Sequence, residues 1–182
     1  MRWFLSKDVP EFSRLLLVES GSRQLFETFL NGLYDSHPGL QADLLTCYSG
    51  PPRHFREERG QVFNVNDYRD APSRRKLTAA LATNGYAVAA IICSDEPIMT
   101  KWKWLIAARV PAKILILNEN GDYFFVDRGN LSTIKQFILV RAGLTGGTAV
   151  RTIGRLLLFP LTLTYLVLFA LNAHLRRRAR AR

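Results

Sequence analysis

Residues 86–93 read YAVAAIIC, a continuous apolar run typical of a strand that is buried on both faces of a parallel sheet. Before this run, residues 74–84 place their apolar side chains on one helical face, and Asn84-Gly85 predicts a left-handed helix end. After it, Asp95-Glu96-Pro97 predicts the start of a helix that continues through Val110, with acidic groups at its positive end. A buried strand between two helices indicates an α/β domain.

The same alternation extends in both directions along the chain. Further strands are predicted for residues 14–19, 42–48, 61–68, 113–117 and 123–126, and further helices for residues 24–34 and about 131–141. Asn120-Gly121 predicts a tight turn between the last two strands. This order predicts a single doubly wound, mostly parallel, Rossmann-like sheet over residues 14–145, after an N-terminal extension over residues 1–13.

Residues 146–182 differ in composition from the rest of the chain. Within them, residues 156–175 read LLLFPLTLTYLVLFALNAHL, and a helix of this charge-free run would be about 30 Å long, enough to cross a hydrocarbon core. We therefore predict a membrane-associated helix with an Arg-rich tail, and membrane lipids as partners. Pro160 lies one turn inside the run, so a simple span, a kinked hairpin and a helix in the interface all stay open. The arginines expected at the membrane surface are Arg151, Arg155, Arg176, Arg177 and Arg178.

The positive charge is concentrated in this C-terminal segment. The chain has 25 Lys and Arg against 15 Asp and Glu, and seven of its net ten positive charges lie beyond residue 150. No aromatic residue is interleaved among the terminal arginines to stack on bases, so nucleic acid is not expected as a partner. The N-terminus lacks a secretory signal pattern, which predicts a cytoplasmic globular domain attached to a bacterial-type inner membrane.

Polar residues follow the predicted strands where each strand ends. In an open parallel sheet, ligands bind outside the carboxyl ends of the strands, near the point where the strand order reverses. The candidate ligand-binding residues are Ser20, Gly21, Ser22, Arg23, Ser94, Asp95, Glu96, Asn118 and Glu119.

These candidates also have structural interpretations. Ser20-Gly21-Ser22 is more typical of a plain helix start, and Asp95-Glu96 of groups that pair with a helix dipole, whereas Arg23 is equally typical of a solvated first turn. No cofactor and no metal ion are predicted, because no glycine-rich nucleotide motif, HExxH or CxxC occurs and the three histidines are far apart.

Residues 15–47, LLLVESGSRQLFETFLNGLYDSHPGLQADLLTC, resemble the first strand, turn, helix and second strand of glycosyltransferase-B enzymes, heptosyltransferase-like ones in particular. The resemblance extends over about residues 14–125 and includes His37-Pro38-Gly39-Leu40 before the second strand. It implies an N-terminal Rossmann-like half, which in that family usually handles the acceptor, and a glycan- or lipid-related role at a membrane. The chain departs from the family at Gly21-Ser22-Arg23, where the family carries an acidic catalytic residue after the glycine.

Three hypotheses of function follow. The first is a membrane-anchored glycosyltransferase-like half-domain in cell-envelope glycan or lipid-linked sugar assembly, with a second glycosyltransferase-like subunit supplying the nucleotide-sugar-binding half. The second is a non-catalytic membrane-anchored adaptor whose Rossmann-like domain supplies a binding surface. The third is a small enzyme that acts alone on a lipid substrate, with Asp95 or Glu119 as the base.

Overall fold

The computed structural model of the protein describes residue 8 and residues 13–94, 96–142, 154 and 158–169. The chain divides into two compact units, Met1–Thr133 and Ile134–Arg182. The first unit contains the sheet. The second unit contains most of the helix over residues 131–141, together with the helical residues 158–169.

Six strands form one sheet in the order β3-β2-β1-β4-β5-β6. All neighbouring strands are parallel except β5 and β6, which form an antiparallel hairpin. This confirms the predicted single, mostly parallel sheet, and the order is that of a doubly wound fold. The strands are β1 (Arg14–Glu19), β2 (Gln41–Thr46), β3 (Val62–Asn64), β4 (Val88–Cys93), β5 (Lys113–Asn118) and β6 (Tyr123–Phe125).

Three helices pack on the two faces of the sheet: α1 (Arg23–Ser36), α2 (Ala71–Thr83) and α3 (Thr100–Arg109). Alternate side chains of β1 enter two separate cores: Leu15 and Leu17 pack with α1, while Leu16 and Val18 pack with α2 and α3. Because both faces are covered, the central strands are apolar throughout rather than alternating. A further helix, α4 (Leu131–Arg141), has no buried residue.

The start of α3 corrects the sequence prediction. The helix was expected to begin at Asp95-Glu96-Pro97, but it begins at Thr100 and has no acidic residue in its first turn. Met99, just before it, has a left-handed backbone with a φ of 53°, which separates the preceding turn from the helix. Pro97 instead uses its carbonyl oxygen to accept a hydrogen bond from Thr100 Oγ1 at 3.0 Å.

The strand predicted over residues 61–68 is also shorter in the structure. Only Val62–Asn64 pairs with β2, and Val65–Asp67 forms a 3-10 turn. The Asn64 side chain accepts a hydrogen bond from the backbone N–H of Asn66 at 3.0 Å. Such a local side-chain bond offers the backbone an alternative to the sheet ladder, so the strand ends there.

Two predicted turns are confirmed. Gly85, after α2, has a φ of +69°, and Gly121, between β5 and β6, has a φ of +83°. Both values lie in the left-handed region that glycine adopts without steric cost. The β5–β6 turn is closed by a hydrogen bond from the backbone N–H of Gly121 to the carbonyl oxygen of Asn118 at 3.2 Å.

Two buried polar clusters hold the sheet near the starts of its strands. Asp43 accepts hydrogen bonds from the Arg14 guanidinium at 3.1 Å, the Gln61 backbone N–H at 2.8 Å and the Tyr86 hydroxyl at 2.5 Å. Burial and the bond to Asp43 raise the pKa of Tyr86. Lys113, at the start of β5, forms an ion pair with Asp127 at 3.0 Å.

The predicted membrane segment is described only in part. Residues 158–169 are helical and exposed, and within the described ranges no helix is both long enough and apolar enough to cross a membrane. The rest of the predicted run lies outside the described residues, as do the five arginines expected at the membrane surface, Arg151, Arg155, Arg176, Arg177 and Arg178.

Candidate functional site

The candidate site lies at the carboxyl ends of β1 and β4, where the strand order reverses. These strands are neighbours, and the chain leaves them in opposite directions, towards β2 and towards β5. We call the place between their ends the switch-point crevice, and define it by Ser20, Gly21 and Ser94. It is the position at which open parallel sheets bind ligands.

Ser20 and Gly21 fix the turn after β1 against the end of β4. The Ser20 hydroxyl donates a hydrogen bond to the carbonyl oxygen of Ile92 at 2.8 Å. A Cβ atom added to Gly21 would lie 2.6 Å from both Ile92 Cγ2 and Ser94 Oγ, which real Cβ atoms do not tolerate. A side chain at this position would force Ile92 or Ser94 to move, so glycine is favoured where the turn after β1 approaches the end of β4.

Ser94 and Ser22 differ from Ser20 in their hydrogen bonding. Ser94 Oγ is buried and has no hydrogen-bond partner among the described groups. Ser22 occupies the N-cap position of α1, but its side chain makes no capping hydrogen bond. The helix start is thus formed without the side-chain cap that the sequence favoured as a structural role for this serine.

Glu19, the last residue of β1, is fully buried and paired. Its carboxylate accepts hydrogen bonds from Thr46 Oγ1 at 2.6 Å and from Arg23 Nε at 2.8 Å, with Arg23 Nη2 at 3.3 Å. The hydrogen bond to Glu19 raises the pKa of Arg23 further above its ordinary value. The two charges neutralise each other inside the fold.

The remaining donors of Arg23 connect α1 to the segment after β2. Its guanidinium donates to the carbonyl oxygen of Gly50 at 2.8 Å and of Ser49 at 3.4 Å, and it lies over the Tyr48 ring at 4.9 Å. The Tyr48 hydroxyl donates in turn to the carbonyl oxygen of Gly21 at 2.9 Å. Burial raises the pKa of Tyr48. Arg23 therefore serves to fix the edge of the crevice in this structure.

The other candidates lie apart from this cluster or beyond the description. Asn118 uses its side-chain oxygen to accept backbone hydrogen bonds from Asn120 at 3.0 Å and Asp122 at 2.9 Å, which stabilises the β5–β6 turn. Glu119 is exposed in the same turn, and Glu96 is exposed after β4. Asp95 falls outside the described residues.

Sequence reasoning missed the partners of Glu19 and two cavities. Thr46 and Tyr48 come close to the first turn only because β1 and β2 are paired in register, from Arg14 opposite Gln41 to Glu19 opposite Thr46. One cavity, of about 400 Å³, is an apolar groove between α1 and the β5–β6 hairpin. The other, of about 260 Å³, is polar and lies beside the C-terminal end of α1. Among the described residues, no group of His, Cys, Asp or Glu side chains could hold a metal ion.

Comparisons of the chain with protein-family models, with curated proteins and with solved structures give no match to any of them. The resemblance to glycosyltransferase-B enzymes therefore stays a prediction.

Proposed function

We propose that this chain is the membrane-attached, acceptor-side half of a glycosyltransferase-like assembly in cell-envelope glycan or lipid-linked sugar synthesis. A partner subunit would supply the nucleotide-sugar site. The observation that carries the proposal is the switch-point crevice, which lies where doubly wound sheets bind their ligands. The turn through Ser20 and Gly21 is held against the end of β4, so the start of α1 has a defined position at the crevice.

The need for a partner is supported by the pairing of the charged side chains beside the crevice with each other. Glu19 is buried and forms an ion pair with Arg23, whose side chain is 31% exposed, and Arg23 donates two further hydrogen bonds to backbone carbonyl groups. A general acid or base must be within reach of the proton that it transfers, and neither group is presented in that way. The chemistry of the assembly would then come from groups on the partner.

Membrane attachment is supported by the exposed helix over residues 158–169. Its large apolar side chains are half exposed or more. Monomeric soluble proteins rarely expose so many large apolar side chains in one patch. Such a surface suits contact with lipid or with another apolar surface. The side chains are those of Leu158, Phe159, Leu161, Leu163, Tyr165, Leu166, Val167, Leu168 and Phe169.

The partner can be tested by affinity purification of the full-length protein from its native cell, solubilised in detergent, with mass spectrometry of the co-purifying proteins. We expect a stoichiometric partner that contains a nucleotide-sugar-binding domain. Glu96→Lys, at an exposed position after β4, should reduce recovery of this partner. Glu57→Lys makes the same charge change at another exposed position and should not reduce this recovery. Glu57 lies three residues before Gly60, which packs on the start of β2. Recovery of the chain alone, with turnover of a lipid substrate, would contradict the proposal.

The adaptor is the second candidate, and the Glu19–Arg23 pair favours it. Charges that stabilise the fold need no catalytic role, and a Rossmann-like domain can serve only as a binding surface. Ser22→Ala separates the two candidates, because Ser22 makes no side-chain cap and its loss should leave α1 folded. A Ser22→Ala chain that is membrane-bound but lowers glycan output would support the transferase half. Normal output, together with loss of function on deletion of residues 150–182, would support the adaptor.

A further inference from the structure

The larger of the two cavities lies between α1 and the β5–β6 hairpin, on the sheet face that α1 covers. Among the described residues, α1 is the only helix whose side chains enter the core on this face. It connects β1 to β2, and β5 lies on the other side of β1, two strands away. Neighbouring strands are about 4.8 Å apart and a helix is about 10 Å wide, so α1 does not reach over β5. The uncovered space has a volume of about 400 Å³, and we call it the α1–hairpin cavity.

The lining of this cavity is mostly hydrocarbon. It includes the buried Leu115 and Leu117 of β5, and the partly buried Leu25 and Phe29 of α1 and Phe125 of β6. A peptide in such a space would bury backbone N–H and C=O groups without hydrogen-bond partners, which is unfavourable. The lining therefore favours a hydrocarbon ligand over a peptide.

The cavity is long and narrow. Its lining follows α1 from Leu25 to Ser36, which is about 16 Å along the helix axis. Over this length its volume gives a cross-section of about 25 Å², whereas a helix of about 10 Å in diameter needs about 80 Å². An extended hydrocarbon chain advances about 1.25 Å per carbon, because its C–C bonds are about 1.5 Å long and meet at about 110°. The cavity therefore has the length of about 13 carbons and is too narrow for a helix.

The polar side chains of the lining lie mainly at one end of the cavity. Ser36 is the last residue of α1, and His37 follows it. Thr28 lies further along the helix, but its hydroxyl donates to the carbonyl oxygen of Gln24 at 3.1 Å. Gly32 lies between them without a side chain, and a Cβ atom added there would meet nothing within 4 Å. A long apolar cavity with a polar end matches a single-chain lipid.

We propose that the α1–hairpin cavity binds one acyl chain of a single-chain lipid, with the polar head in water at the end formed by Ser36 and His37. A chain that is already in a bilayer gains little by entering, since lipid tails are as apolar as leucine. A chain in water gains the burial of each CH₂ group. The inference depends on the cavity and not on the proposed role of the crevice, so either proposal can fail without the other.

Isothermal titration calorimetry on the full-length chain tests this site, in a fluorinated surfactant whose chains mix poorly with hydrocarbon. The probes are monoacylglycerols with 8, 10, 12, 14 and 16 acyl carbons, so that only the chain length changes. We expect the 14-carbon probe to bind one-to-one with a dissociation constant of about 10 μM, which is typical of a ligand with about twenty non-hydrogen atoms. Affinity should rise about two- to fourfold per CH₂ group and level off near 13 carbons, where further carbons extend into water.

Two glycine variants test the location of the site. Gly32→Phe places a ring in the cavity at an exposed position and should weaken binding of the 14-carbon probe at least tenfold. Gly39→Phe adds the same ring at another exposed glycine whose Cβ would meet nothing within 4 Å, outside the lining, and should leave binding unchanged. Both variants should keep the wild-type melting temperature by circular dichroism.

Three results would overturn the proposal. The first is that none of the five monoacylglycerols binds. The second is that the 14-carbon probe binds Gly32→Phe as tightly as the wild type, which would place the lipid elsewhere. The third is that the chain forms a dimer that Gly32→Phe dissociates and that the probe does not affect, because the cavity would then be covered by a second copy of the chain.

Discussion

Replacing Lys113 with methionine tests the most buried ion pair that the structure describes. Lys113 is 0% exposed and Asp127 is 5% exposed at their side chains, and Nζ lies 3.0 Å from Oδ2. Nζ also donates to the carbonyl oxygen of Asp8 at 2.7 Å and lies over the Phe125 ring at 4.9 Å. Methionine keeps most of the apolar stem and removes the charge, so the variant isolates the ion pair.

The expected loss is large because Asp127 stays buried without its partner. Removing one member of a buried pair costs about 3–5 kcal/mol. Asp127 still accepts hydrogen bonds from the backbone N–H groups of Gly129 and Asn130, at 2.9 Å and 3.1 Å, so the lower end, about 3 kcal/mol, is expected. Adding Asp127→Asn keeps an acceptor for these groups and should restore at least about 1 kcal/mol.

The pH dependence gives the same experiment a second, independent result. Burial alone would raise the pKa of Asp127, but the hydrogen bond and charge of Lys113, with the two backbone N–H groups, hold it below its ordinary value. The pair therefore stabilises the wild type above the unfolded pKa of about 3.9, and this stability is lost as the pH falls through the lower folded value. In Lys113→Met burial dominates, so the pKa of Asp127 rises and protonation relieves the variant. The difference between the two proteins should narrow from pH 7 to pH 4.

Urea unfolding of the full-length chains, followed by far-UV circular dichroism, measures both results. A loss below about 1 kcal/mol at pH 7, well under the cost of an uncompensated buried charge, would refute the reasoning. The reasoning would also be refuted if Lys113→Met lost as much unfolding free energy, relative to the wild type, at pH 4 as at pH 7.

Four further substitutions test three positions at the sheet and one inside α1. Gly21→Ala should lower the free energy of unfolding by about 1–3 kcal/mol, because its Cβ would lie 2.6 Å from side-chain atoms at the end of β4. Gly32→Ala, inside α1 with nothing within 4 Å, should raise it by about 0.5–1 kcal/mol, and equal urea midpoints for these two variants would contradict both expectations. Gly60→Ala should be at least as damaging as Gly21→Ala, because its Cβ would lie 1.7 Å from a backbone oxygen of β2; a wild-type melting temperature by circular dichroism would exclude this. Glu19→Gln should cost about 2 kcal/mol in thermal unfolding, since Arg23 is 31% exposed and keeps some solvation; a cost under about 0.5 kcal/mol would show that the pair is dispensable.

The central strands could be predicted from sequence because burial on both faces leaves an unbroken apolar run. The predicted strand over residues 14–19 is β1 as observed, and the end of β4 at Cys93 is also as predicted. Errors occurred where one local polar or backbone feature decided the outcome. The Asn64 side chain ends β3 by accepting a hydrogen bond from the backbone N–H of Asn66, and the left-handed backbone of Met99 makes α3 begin only at Thr100. Neither effect is visible in the spacing of apolar residues.

The location of the crevice followed from topology, but the use of its residues did not. Sequence placed Ser20, Gly21 and Ser94 at strand ends, and the structure brings these three together. The sequence could not show that Arg23 would pair with Glu19. The contacts of Thr46 and Gly50 that complete this arrangement come from the next strand and from the loop after it. The polar cavity was missed for the same reason, since a helix end and a loop about twenty residues later form it together.

The two polar sites differ in what they leave for a ligand, and this difference supports a division of roles. Glu19 accepts three hydrogen bonds in a buried position, so proton transfer by it would require the loss of partners worth about 1 kcal/mol or more each. The crevice is therefore better suited to hold a surface in place than to perform chemistry. The polar cavity beside the C-terminal end of α1, in contrast, is lined in part by the exposed side chains of Asn31, Asp35 and Glu58. The crevice therefore offers a rigid surface whose charges are already paired, whereas the cavity offers polar side chains that stay open to solvent.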